Sequence, residues 1–189
     1  MIGKKNIVFG FFYLVLTAAL GPVMIAKHFD ARKAADTVKQ EKLGALQTAA
    51  ESGFEVNLKP MKPIEIDKVN ADAILALSAR LNAQAPIDAT KGGPHAHGNL
   101  EALLNIVVGV VLMFLAVPAA FKQAISWIFI AGALLHSGLL YLTIALGLPW
   151  AGAILGSWFG PVGPILILLG LALTGVAAVM GFRGRLVED

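Results

Sequence analysis

Charge is absent from Ile7 to Ala26, dense from Lys27 to Gly98, and almost absent again from Leu100 to Phe182. A span of about 20 apolar residues matches the hydrocarbon core of a bilayer. The pattern therefore predicts four spanning helices: Ile7 to Ala26, Leu100 to Phe121, Ala124 to Leu146 and Val162 to Phe182. Pro149, Pro161 and Pro164 divide the last uncharged run, which is too long for one helix. The first is expected as a retained helix rather than a cleaved leader, because no small-x-small cleavage site follows it. Gly21-Pro22 should loosen its far end.

The polar stretch reads as two shorter helices. Ala31 to Ala50 has a thin apolar stripe, Ala35, Val38, Leu46 and Ala49. Pro60 and Pro63 make Asn57 to Ile66 an extended connector. Asn70 caps a second helix, Ala71 to Ala85, with Ile74, Leu77 and Leu81 on one face and Pro86 as its stop. The fold class expected is all-α: an integral membrane four-helix bundle with a long helical extramembrane loop between helices 1 and 2. Its segments are 1–29, 30–98, 99–122, 123–147, an interfacial 148–161, and 162–189. Gly152, Gly156 and Gly160 form a small-xxx-small run that suits oligomer contacts.

Composition supports the membrane class, since 57% of residues are hydrophobic and only 14% charged, against roughly a quarter charged in ordinary domains. The 189-residue chain has no cysteine, which excludes disulfides and thiolate chemistry. Its net charge of +3 is scattered and gives no nucleic-acid footprint. Lys4, Lys5, Lys122, Arg183 and Arg185 fall on one side of a four-span arrangement. The positive-inside rule then places both termini in the cytoplasm of a bacterial-type inner membrane and the loop outside.

Polar side chains inside apolar helices carry the chemical question, because they are costly in lipid and face a bundle interior or a cavity. His136 sits mid-helix and is a site candidate by that rule. Asn105 and Tyr141 lie at similar depths, roughly 8 Å inside their helices at 1.5 Å per residue, and are expected to line one outward-facing pocket. Glu101 is read first as a first-turn acid complementing the helix dipole. His95 and His97 lie in a Gly/Pro loop. Their depth relative to His136 argues against one haem bridging His97 and His136, whereas His28 and His97 are level. His97 is the candidate metal ligand, although no zinc-type spacing is present.

Four helices, a long first loop, a polar entrance to helix two, Asn105 within LEALLN, Tyr141 on helix three and Phe159-Gly160-Pro161 before helix four give the chain a resemblance. It resembles the styrene-oxide-isomerase type of small membrane protein. The resemblance implies a trimeric haem b protein that rearranges epoxides to aldehydes, with ferric iron as Lewis acid. It also implies a haem-ligating histidine at the head of helix two, with Asn105 and Tyr141 acting at the substrate. Six positions before Asn105 stands Asn99, not histidine; His97 is two residues further out. His97 and His136 are therefore the candidate cofactor ligands.

Two functions follow as expectations. One is a haem b-dependent isomerase of a small apolar epoxide, built on Asn105 and Tyr141. The other is a non-catalytic small subunit of a larger membrane oxidoreductase or respiratory complex. Either implies lipid and a homo-oligomer or larger assembly as partners.

Overall fold

The computed structural model describes residues 1–186 and divides into two compact units, Met1–Gly21 with Ala89–Asp189, and Pro22–Asp88. The chain is helical nearly throughout. Its order is α1 (Gly3–Ala18), α2 (Leu20–Glu51), β1 (Glu55–Val56), β2 (Lys59–Pro60), α3 (Pro63–Thr90) and α4 (Ala96–Leu112). Then follow α5 (Ala119–Ala133), α6 (Pro149–Leu155) and α7 (Val162–Gly181). Four helical stretches are long and apolar enough to cross a membrane: Gly3–Glu51, Pro63–Leu112, Ala119–Ala145 and Val162–Gly181.

In the unit 22–88, α2 ends in a Schellman turn. Gly53 takes positive φ, its N–H bonds Ala50 O, and Phe54 N–H bonds Ala49 O at 2.7 Å. The expected extended connector is instead a short hairpin, Glu55 opposite Pro60 and Val56 opposite Lys59. Asn57 and Leu58 both have positive φ, the two central positions of a type I′ turn. Lys62 then starts α3: its N–H is held by Glu65 Oε2 at 2.9 Å, half of a capping box, with Pro63 at the first helical position. Asp36 on α2 meets Arg80 on α3 at 3.6 Å, and Ala73 and Ala76 are buried.

Pro86 does not end α3. A proline removes one ladder bond, but the helix runs on to Thr90. The break falls at Gly93, whose φ of −89° and ψ of −109° leave the α region that the following Pro94 disfavours. Consequently α4 starts at Ala96, earlier than the Asn99–Leu100 start the sequence suggested.

In the other unit α1 and α4 are antiparallel and in backbone contact. A Cβ on Gly3 would overlap Gly109 O, one on Gly10 would lie 2.6 Å from Ala102 O, and one on Gly98 would lie 2.8 Å from Thr17 Cβ. The buried positions of α1 are Gly3, Asn6, Gly10, Tyr13 and Thr17, a three-four repeat that is small or polar. Its large apolar side chains face outward, with Phe12 73% and Val15 68% exposed. Hydrophobic patterning is thus reversed on this helix. Val108, Leu112, Leu115, Ile125, Phe129, Ile167 and Ala177 make the apolar core beside it.

α4 stops at Leu112, short of the expected Phe121. Residues 113–117 instead pair with the end of α7: Leu115 bridges Phe182, Ala116 N–H bonds Gly181 O at 2.7 Å, and Arg183 N–H bonds Phe114 O at 2.8 Å. Pro118 then opens α5. Lys122, one of the basic flanking residues counted on one side of the four spans, is buried. A Cβ on any of the three glycines of the small-residue run would meet this chain's own atoms: Thr143 at Gly152, the Gly152 carbonyl at Gly156 and Leu155 at Gly160.

Candidate functional site

The early start of α4 puts His97 on its first turn rather than in a loop and moves Glu101 from the first turn to the second. Across from them, Leu134–Gly138 forms a π turn after α5. Such wide turns are frequent at functional sites, and this one turns two consecutive side chains toward one carboxylate. His136 Nδ1 is 2.5 Å from Glu101 Oε1, and Ser137 Oγ donates to Glu101 Oε2 at 2.5 Å. Glu101 is 4% exposed and Ser137 fully buried. Tyr13 from α1 completes the chain, its hydroxyl 2.8 Å from Ser137 Oγ. With the serine proton on the carboxylate, the tyrosine is the donor in that bond.

Glu101 is therefore more than a complement to the helix dipole. It is the centre of a Tyr13–Ser137–Glu101–His136 network drawn from α1, α4 and the π turn. The His97 ring extends it outward, 4.8 Å from the His136 ring centre and tilted by 56°. Counted from a helix start at Asn99 the two histidines differ in depth, but with α4 starting at Ala96 their rings meet. His95 is placed differently, its Nδ1 2.9 Å from Thr17 O.

Asn105 belongs to a second, fully occupied network. Its amide donates to Glu101 O at 3.0 Å and lies 3.4 Å from Phe129 O, while its oxygen accepts from Asn6 at 3.0 Å. Asn6 also donates to Ser126 O at 3.1 Å and accepts from the Ser126 hydroxyl. Tyr141 is elsewhere. It lines a cavity of about 350 Å³ with Tyr13, Leu16, Leu134, Gly138 and Leu142. The expected polar pocket shared by Asn105 and Tyr141 is thus replaced by a largely apolar cavity beside α1. Asn105 fails to reach it because every polar atom of its amide is already bonded within the helices.

Asn6, Tyr13, Thr17 and Ser126 escaped the sequence reading. The signal was present: each is a polar group in an uncharged run, the feature that singled out His136. Among the described residues, no three His, Cys, Asp or Glu side chains gather as a metal site.

These features define a predominantly helical protein with four helices long and apolar enough for membrane crossing and a carboxylate–imidazole pair in which Glu101 is buried and His136 partly so. No family model matches the chain, and no curated protein or solved structure matches it.

Proposed function

We propose that this chain is a multi-pass membrane protein, a four-helix bundle in its membrane part, that does acid–base chemistry on a small apolar molecule. The reaction we assign is the epoxide-to-aldehyde isomerisation implied by the resemblance. The membrane reading is supported by α1, which buries Asn6, Tyr13 and Thr17 while exposing Phe12 and Val15. Lipid makes that arrangement favourable, because apolar surface costs nothing there and polar groups must find partners inside. Lys4, Lys5 and Arg183 lie at one end of this unit, consistent with cytoplasmic termini in a bacterial-type inner membrane.

One observation carries the chemistry. Glu101 accepts at both carboxylate oxygens, and Tyr13, which is tied to it through Ser137, is also a wall of the apolar cavity. The rearrangement opens one C–O bond and moves hydrogen between adjacent carbons, so all atoms stay within the substrate. It needs an acid at the ring oxygen and the exclusion of water. Tyr13 and Tyr141 are the hydroxyl-bearing side chains of the cavity wall, and its leucines exclude water. The Glu101–His136 pair fixes the charge behind Tyr13.

Haem b fits only in part. His97 and His136 stand at 4.8 Å, and His136 Nδ1 is committed to Glu101. The two rings are therefore too close to hold a group between them. His97 alone, an exposed ring on the first turn of α4, is the residue that would hold it. Bound there, the iron would supply a Lewis acid.

The test is conversion of an aryl epoxide to its aldehyde by the purified protein, with an absorption spectrum recorded alongside. Aldehyde formation that is lost in Glu101→Gln supports the reading; absence of conversion by wild-type protein supplied with haem overturns it. The accessory-subunit reading has its own observation. Leu58, Ile64, Ile74 and Leu75 of the unit 22–88 are each at least 66% exposed. A partner of fixed stoichiometry in native membranes, with no epoxide conversion, would favour it.

A further inference from the structure

We propose that the groove between the start of α1 and α5 binds an anionic phospholipid, its headgroup at Lys4 and Lys5 and an acyl chain along Val8, Phe9 and Ile130. This rests on the membrane reading above and is independent of the isomerase reading. The groove is a cavity of about 600 Å³ whose wall includes Lys4, Lys5, Val8, Phe9, Trp127 and Ile130.

Its cationic end is built rather than incidental. The Lys5 ammonium sits 4.3 Å from the centre of the Trp127 ring and donates to Gln123 Oε1, so α5 fixes the position of a charge carried by α1. Among the described residues of this unit, no protein anion answers it. Glu101 is the one carboxylate among the described residues of this unit, and both its oxygens are occupied by His136 and Ser137. The lysines therefore call for an anion from outside.

The walls decide which anion. Val8 is 46% and Trp127 58% exposed, and they stand directly below the charges. A free phosphate would leave that surface bare, whereas an amphiphile covers both parts. Basic pockets between spanning helices are suited to anionic headgroups, and an indole beside them suits the interface. Arg183, whose N–H bonds Phe114 O, lies at the same end of the unit but outside the groove wall, and supplies the control for unspecific charge attraction.

The full-length protein in detergent is titrated with phosphatidylglycerol, phosphatidylcholine and inorganic phosphate, with thermal unfolding as readout. Phosphatidylglycerol should raise the midpoint, and the other two should not. Lys4→Gln/Lys5→Gln should abolish that rise, while Arg183→Gln/Arg185→Gln keeps it. Equal response to both lipids, reproduction by phosphate, or an unchanged response in the lysine variant overturns the proposal. A folding-independent arm uses wild-type protein in vesicles with brominated acyl chains. Brominated phosphatidylglycerol should quench tryptophan fluorescence more than brominated phosphatidylcholine, and Trp127→Phe should remove the difference; equal quenching overturns the proposal. Failure of the protein to stay with membranes after alkaline washing would sink the membrane reading itself, which separates the two failures.

Discussion

Glu101 Oε1 and His136 Nδ1 stand 2.5 Å apart, joining α4 to the π turn that follows α5. The second oxygen is held at the same distance by Ser137. Glutamine at 101 would keep the volume but present an amide N–H₂ to one of these two donors. Glu101→Gln should therefore lower epoxide conversion by on the order of 100-fold, the range of a lost acid–base group, while the folded fraction in detergent stays close to wild type. Aldehyde formed per folded protein is the measurement, and unchanged conversion would remove Glu101 from the mechanism.

Tyr13 and Tyr141 share the cavity wall but differ in their bonding. The Tyr13 hydroxyl is bonded to Ser137, and its ring stacks on Phe9 with centres 5.1 Å apart. Tyr13→Phe keeps the stacking and deletes the bond, so it should cost about 1 kcal/mol of stability and lower conversion. Tyr141→Phe should lower conversion without the stability loss. Unfolding midpoints and initial rates measured on both variants separate the two roles; equal stability loss in both would contradict the geometry.

Asn105 is held by Asn6 on α1 and by carbonyls of α4 and α5. Asn105→Ala leaves the buried Asn6 amide short of an acceptor, a loss of roughly 1–3 kcal/mol. A double-mutant cycle with Asn6→Ala should return a coupling of about 0.6–1.7 kcal/mol, the range for polar contacts between membrane helices. Conversion per folded protein should be nearly unchanged in Asn105→Ala. A rate collapse with intact stability would restore Asn105 to the catalytic role the resemblance implies.

The four apolar helices were legible from the sequence because uncharged length is a strong signal, and His136 was legible because it interrupts such a run. The helix ends were less so. Pro86 reads as a stop, yet the chain tolerates one missing bond there and breaks at Gly93 instead. That shift brings His97 to His136, which counting residues along straight helices could not reveal. The role of Glu101 was hidden for another reason: a first-turn acid and a buried network acid look the same in one dimension. Asn6 and Tyr13 were hidden because α1 was read for its apolar face, whereas its inner face is the small and polar one.

That inner face gives the sharpest packing test. A Cβ at Gly109 would lie 2.7 Å from Gly3 O and 3.0 Å from Ile7 N, both backbone atoms of α1. Neither can yield as a flexible side chain would, so Gly109→Ala must push the two helices apart. The loss should be about 1–3 kcal/mol, the range for overpacked cores. It should also weaken the Asn6–Asn105 bond, since both sit on the same helix pair. Gly175 on α7 is the control, because a Cβ there meets nothing within 4 Å. Gly175→Ala should be neutral or gain up to about 1 kcal/mol through helix propensity. Unfolding of both variants in mixed micelles provides the comparison. If Gly109→Ala were as stable as Gly175→Ala, α1 and α4 would not be in backbone contact, and the polar network that depends on their closeness would lose its frame.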